Sequence, residues 1–262
     1  MKRITLTRFA TAALAALTLL GGAAAQAQSS LERILGDGVL RVGTTGDFNP
    51  MTVRDVASGS FKGFEIDVAT ALAEEMGVEL EFVTTEWKTM VAGVVSDKYD
   101  IVMSGTSISV GRAKVVGYTD PYIHVGTVPM TLAENADTFA TWDDANAEGV
   151  KVAVILGTVF EEQARATFPE AEIVTVEAPA TGYQEVLSGR ADVTITSNVD
   201  AASIMERFDA ITTFSDAEPR AQRPLAYITQ QGNQTLINFM NSWLALKQAS
   251  GFFDELKAKW KL

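Results

Sequence analysis

Arg112 closes the run Ser104-Gly105-Thr106-Ser107-Ile108-Ser109-Val110-Gly111-Arg112, and Tyr118-Thr119-Asp120-Pro121-Tyr122 follows shortly after. A turn of small residues beside a guanidinium offers backbone N–H groups, hydroxyls and a planar fork to one anion. An arginine fork holds both oxygens of a carboxylate in one plane, which a lysine point charge does not. The chemistry this spacing supports is therefore carboxylate capture. Two acids elsewhere in the chain have chemical potential and a plainer reading. Asp47 follows Gly46, a pair that suits a turn, and Asp200 falls in the first turn of an expected helix, where the dipole favours an acid. Other chemistries lack their parts. His124 is the single histidine and there is no cysteine, so a His- or Cys-based zinc site has no ligand set. No G-x-S-x-G elbow and no G-x-x-x-x-G-K phosphate loop occurs. No cofactor and no metal is expected.

The chain has 262 residues and a formal charge of −12. Its first residues read as an export signal. Lys2, Arg3 and Arg8 form a basic start, Phe9 to Leu20 is an apolar run of 12 residues, and Ala25-Gln26-Ala27 fits an A-x-A cleavage site. That run is too short to span a bilayer comfortably. Residues 1–27 are thus expected to be a signal peptide, with the mature chain starting near Gln28. No Cys adjoins the site, which excludes a lipid anchor there, and a periplasmic protein is expected. Losing the three basic residues of the leader takes the charge from −12 to −15. A surface this acidic repels phosphate backbones, so nucleic acid is not an expected partner. Hydrophobic content of 47% is ample for packed cores, and nothing signals an interface, so a monomer is expected.

The elements that must position Arg112 alternate between two periods. Leu31 to Leu35 reads as a short helix ended by Gly36-Asp37-Gly38, and Val39 to Gly43 as a strand. Phe64 to about Met76 reads as a helix with Gly77 as its stop. Val78, Leu80 and Phe82 alternate with Glu79 and Glu81, as in a half-buried strand. A helix over Lys88 to Val95 and a strand over Asp100 to Met103 follow. The pattern restarts at Lys151 to Ile155. Helices are expected at Phe160–Thr167, Thr181–Ser188 and Val199–Phe208, and strands at Ile173–Val176 and Ala191–Ile195. Strands alternating with helices argue for mostly parallel sheets covered by helices. Extended segments at Thr127–Leu132 and Pro219–Pro224 look like two crossings between two α/β units. After the second, Leu225 to Thr229 returns to the first unit, followed by helices at about Gln234–Gln248 and Phe252–Trp260. Ligands sit outside the carboxyl ends of strands in such sheets, so the cleft between two such edges is the expected site.

From about Leu31 to Leu262 the chain resembles the bacterial extracellular solute-binding proteins, family 3, the polar amino-acid type. The resemblance rests on Val39-Leu40-Arg41-Val42-Gly43-Thr44, Gly63-Phe64-Glu65-Ile66-Asp67, the Arg112 segment with Pro121-Tyr122, and Gly157-Thr158. It implies a type II periplasmic binding protein fold, two α/β lobes joined by two hinge strands around a cleft. Residues 28–128 and 225–262 would form lobe 1 and 129–224 lobe 2. It also implies delivery of an amino acid or similar small carboxylate to the membrane subunits of an ABC importer. Carried over by position, Phe48 and Trp87 would be aromatic walls. Ser104, Gly105 and Ser107 would offer N–H and hydroxyl groups to a carboxylate, with Arg112 as counter-ion. The N–H groups of Thr158 and Val159, at a helix start, would reach the same carboxylate on closure. Ser197 and Asn198 would close the far side.

One position departs from the family's pattern. Amino-acid binders place an acidic residue where Ser197 stands, to hold the ligand ammonium. Either Asp47 or Asp200 takes that role, or the ligand has no ammonium. Gly43-Thr44-Thr45-Gly46-Asp47, Trp87 and Met103-Ser104-Gly105 are similar to the cyclohexadienyl dehydratase branch of the superfamily, which aromatises prephenate or arogenate. By that resemblance Asp200 would be a general acid, in place of a glutamate. Ile155 would replace a polar asparagine and could not hydrogen-bond the substrate.

Overall fold

The computed structural model describes Ser29 to Leu262, so the expected signal peptide lies outside the described residues. The chain begins with α1 (Ser30–Asp37), β1 (Val39–Thr44), the short strands β2 (Asp47–Phe48), β3 (Thr52–Arg54) and β4 (Phe61–Lys62), and α2 (Phe64–Met76). It continues through β5 (Glu79–Thr84), α3 (Met90–Val95), β6 (Ile101–Val102), α4 (Val110–Ala113) and β7 (Val116–Tyr118). The long strand β8 (Ile123–Leu132) then leads into β9 (Lys151–Ile155), α5 (Val159–Thr167), β10 (Glu172–Val176) and α6 (Gly182–Leu187). After β11 (Val193–Ser197), α7 (Asn198–Met205) and β12 (Ile211–Thr213), the chain returns along β13 (Arg220–Leu225) to β14 (Ile228–Gln230), α8 (Gln234–Ala249) and α9 (Phe252–Trp260).

Two sheets result. The first runs β5-β1-β6-β14-β7, and the second β10-β9-β11-β8-β12 with β13 also paired to β8. The β1–β5 and β1–β6 pairs are parallel in the first, and the β9–β10 and β9–β11 pairs in the second. β9 is buried at Val152, Ala153 and Val154, as expected of a strand covered on both faces. β5, at the edge, alternates exposed Glu79 and Glu81 with half-buried Leu80 and Phe82. Helix ends follow local chemistry. Ser29 and Glu32 form a capping box on α1, and Gly77 ends α2 with φ 69°.

Lobe 1 packs Leu40, Val42, Phe64, Val68 and Leu72 against Tyr122, Tyr227, Trp243 and Phe253. Lobe 2 has its own cores around Val152, Val154, Phe168 and Val193, and around Val128, Met130, Ala201 and Ile204. The lobes are joined by β8 and β13, which pair antiparallel, with Leu225 opposite Ile123 and Arg223 opposite Val125. The three-stranded β2-β3-β4 sheet has no counterpart in the sequence reading, because strands of two or three residues carry no periodicity. No helix among the described residues is long and apolar enough to cross a membrane.

Candidate functional site

A cleft of about 750 Å³, its open mouth included, lies between the carboxyl ends of the two sheets. Lobe 1 contributes Asp47, Phe48, Trp87, Gly105, Ser107 and Arg112. Lobe 2 contributes Thr158 and Val159 at the start of α5, Asp200 in the first turn of α7, and a largely apolar surface that includes Ile155, Phe160, Tyr183, Ile195 and Ile204. Val125 and Leu225, from the two joining strands, form part of the lining.

The lobe 1 wall is tied together by hydrogen bonds among its own residues. Trp87 donates from Nε1 to Asp47 Oδ1 at 2.9 Å, which fixes the indole against the cleft and spends its only polar group. Phe48 lies beside it with ring centroids 6.3 Å apart. Gly105 has φ +67°, and a Cβ there would come within 2.6 Å of the Phe48 ring, so only glycine permits both the turn and the aromatic wall. Arg112 donates from Nη1 to Ser107 O at 3.3 Å and from Nη2 to Gly157 O at 3.0 Å. A guanidinium has five N–H groups, so donors remain for a carboxylate. Burial pulls its pKa below the usual arginine value, opposed by Tyr118 and aided by the charge of Arg223; it stays protonated.

The Arg112–Gly157 bond crosses between lobes, and the lobes are closed. Three further contacts cross with it: Lys88 with Glu177, Asn49 with Ser203, and Lys261 with Glu206 at 3.0 Å. Gly157 has φ +79°, and a Cβ there would lie 2.6 Å from Lys88 Cα, so its bare backbone is what lets the lobes meet.

Three residues expected in the cleft are elsewhere. Ser104 is wholly buried, and its Oγ accepts from the Thr45 amide at 3.1 Å and pairs with the Thr45 hydroxyl at 2.8 Å. Ser197 is the N-cap of α7, its Oγ accepting from the Asp200 amide at 3.0 Å. Asn198 turns to β8, where its side-chain oxygen accepts from the Gly126 amide at 2.9 Å. Two expected donors are spent as well. The Gly105 amide donates to Glu65 Oε1 at 2.9 Å, and the Thr158 amide and hydroxyl both donate to Ile155 O, at 3.3 and 2.7 Å. Thr158 and Gly105 therefore line the cleft without offering those groups to a ligand.

Glu65 was missed as a supporting residue. It is fully buried in the first turn of α2, and its Oε1 also accepts from the Tyr122 hydroxyl. Its Oε2 and the Tyr227 hydroxyl are buried without hydrogen-bond partners. Burial pushes its pKa to about 7 against the lowering effect of Tyr122 and Gly105. Asp200 behaves similarly. Burial raises it to about 7, opposed by the Thr196 hydroxyl, which donates to Oδ2 at 2.7 Å, and by Arg207, while Asp47 adds repulsion across the cleft. Burial also raises Asp47, against hydrogen bonds from Thr45 and Trp87.

Two lobes, paired joining strands and a cleft at the carboxyl edges of both sheets define a type II periplasmic binding protein fold. The family of bacterial extracellular solute-binding proteins, family 3, matches residues 40–262, and the chain belongs to it. A cyclohexadienyl dehydratase of Pseudomonas aeruginosa is 32% identical over 249 residues, covering 95% of this chain and 92% of that protein. The L-cystine-binding protein TcyJ of Escherichia coli is 29% identical, covering 88% and 85%. Among solved structures, an ancestral amino acid-binding protein described as a precursor of cyclohexadienyl dehydratase superposes with a TM-score of 0.82. It is 39% identical and covers 88% of this chain and 99% of that one.

Proposed function

We propose that this protein is a periplasmic solute receptor that captures a small carboxylate by closing its cleft and delivers it to the membrane subunits of an ABC importer. The observation that carries this reading is Arg112. Its guanidinium is anchored on the Ser107 carbonyl of its own lobe and the Gly157 carbonyl of the other, with N–H groups left over. A carboxylate on those groups adds attraction at the point where the lobes meet, so ligand and closed state stabilise each other. The walls favour an apolar or aromatic body: Phe48 and Trp87 on one side, Ile155, Tyr183 and Ile195 on the other. The fold family supports an exported protein, with residues 1–27 as its leader and hinges near residues 128 and 225. Titration of the mature chain with a panel of amino acids and organic acids, alongside Arg112→Ala, tests the reading. Binding is expected in the wild type and loss of it in the variant; a carboxylate bound equally by both removes Arg112 from the site.

A second reading is a dehydratase acting on prephenate or arogenate. The position of Asp200 favours it, since a cleft-lining carboxyl with a pKa of about 7 can hold a proton for a leaving hydroxyl near neutral pH. Asp is one methylene shorter than the glutamate of the resembling branch, and Ile155 faces the cleft where that branch places an asparagine. Product formation from either compound, abolished by Asp200→Asn, would establish this activity.

A further inference from the structure

Resting on the carboxylate-binding cleft proposed above, we infer that Glu65 is a positioning residue that links solute capture to a proton: the clamp turn holds an anionic solute best while the carboxyl beneath it is neutral. Glu65 is wholly buried and lies outside the cleft lining. Gly105 does line the cleft, and its amide donates to Glu65 Oε1 at 2.9 Å. One residue of backbone therefore separates the buried carboxyl from the space a solute occupies.

The same carboxyl stands where the clamp turn meets both joining strands. Its Oε1 also accepts from the hydroxyl of Tyr122, the residue before β8. Tyr122 stacks on Tyr227, two residues beyond β13, with ring centroids 4.5 Å apart. The clamp turn is bonded to β13 and its end directly. The Ala226 amide donates to Thr106 O at 3.0 Å, and the Ile108 amide to Pro224 O at 2.9 Å. A change of charge at Glu65 thus acts on the turn that receives the solute and on the strands that join the lobes.

Nothing around Glu65 balances a charge. Its Oε2 is buried without a partner, and no basic side chain among the described residues pairs with it. Tyr122 and Tyr227 are the titratable groups that face it; burial, with Glu65 as neighbour, pushes both up, so both are neutral. On β3, β4 and β5, which pack on α2, Arg54, Lys62, Glu79 and Glu81 are exposed. On α9, Asp254 and Glu255 are exposed, Lys257 pairs with Asp254 and Lys259 with Asp67. Asp120 and His124, on either side of Tyr122, are exposed as well. The start of α2 favours a negative charge, but burying a carboxylate with one bare oxygen outweighs it, and the pKa rises to about 7.

An anion bound above a neutral Glu65 meets no opposing charge, whereas above an ionised one it meets a like charge through weakly screening surroundings. The coupling is reciprocal. The solute raises the Glu65 pKa, so binding takes up a proton near neutral pH. Affinity is highest below about 7 and falls as pH rises through it.

Calorimetric titration of the mature protein, Glu65→Gln and Asp200→Asn with phenylpropanoate, an acid ionised above about pH 5.5, tests the inference. Two buffers of different ionisation enthalpy at about pH 7 read the proton uptake, and a series from about pH 5.5 to 8.5 reads the affinity profile. The wild type is expected to take up a proton and to lose about tenfold more affinity than E65Q across that series. D200N removes the cleft acid that titrates in the same range and should keep the Glu65 share of both effects. Uptake and profile unchanged in E65Q, or both lost in D200N, overturn the linkage. A loss of affinity in E65Q at every pH, with the profile intact, makes Glu65 a structural residue instead. Infrared difference spectra of the solute-free proteins, wild type minus E65Q, test the neutral carboxyl separately from the cleft. A carboxylic-acid carbonyl band at about pH 6 that fades by about pH 8 is expected, and a carboxylate spectrum at both overturns the inference. If phenylpropanoate binds none of the proteins while that band is present, the carboxylate-binding cleft itself fails and the linkage falls with it.

Discussion

The two walls of the cleft are made differently. Lobe 1 presents polar groups that are already committed: Trp87 to Asp47, Gly105 to Glu65, and Arg112 to Ser107. Lobe 2 presents mostly apolar side chains, with Asp200 held by Thr196 as its one acid in the lining. A preorganised polar wall fixes where a charged group sits at little entropic cost on binding. An apolar wall stabilises any body of suitable size and excludes water, but distinguishes solutes weakly. On the proposed reading, lobe 1 sets what is recognised, through Arg112, and lobe 2 how firmly it is enclosed.

Arg112→Ala should break this division most severely. Truncating one partner of a desolvated ion pair costs about 3–4 kcal/mol, a loss of several hundredfold in affinity by calorimetry. Glu65→Gln tests the support beneath the lobe 1 wall through pH. The Glu65 pKa is raised in the folded protein, so folding takes up a proton that the unfolded chain releases above about 4.5. The stability it contributes is fully present below that value and falls as pH rises to about 7, by about 3 kcal/mol. A glutamine keeps the acceptor for Gly105 and cannot ionise, so melting curves between pH 4.5 and 7 should be flatter in E65Q. Asp200→Asn should flatten the melting curves for the same reason over a wider window, from about 3.8 to about 7.

Smaller effects sharpen the contrast. Tyr183→Ala on lobe 2 should weaken an aromatic carboxylate and its apolar analogues alike, by about tenfold, because only apolar contact is lost. Lys88→Ala removes the exposed Lys88–Glu177 bridge between the lobes and should alter affinity by less than about threefold, measured at low and physiological salt.

Much of lobe 1 was legible in the sequence, because its chemistry is local. The small-residue turn and Arg112 lie within one segment, and the glycine at 105 is required by its φ and by Phe48. The strand-helix alternation likewise marks the long elements, with boundaries displaced by one to three residues at α3, α6 and α7. What was not legible depends on partners distant in sequence. Ser104 carries a hydroxyl suited to a ligand, yet the Thr45 amide, 59 residues away, needs it as an acceptor. Ser197 and Asn198 were legible in principle, since serine with an acid three residues on is an N-cap pattern, and α7 starts there. Glu65 lies in the first turn of α2, and its burial among Tyr122, Tyr227 and the clamp turn is a placement only tertiary packing determines. The lobe 2 wall gave little signal because Phe160, Tyr183 and Ile204 look like ordinary helix residues.

The most direct test of the central claim is a thermal-shift screen of the mature protein against small carboxylates and their amide analogues, repeated with Arg112→Ala. A solute-binding protein that clamps a carboxylate through its lobe 1 wall should be stabilised by at least one acid, not by the matching amide, and the stabilisation should vanish in the variant. Equal stabilisation by acid and amide, or stabilisation retained without Arg112, would contradict the account.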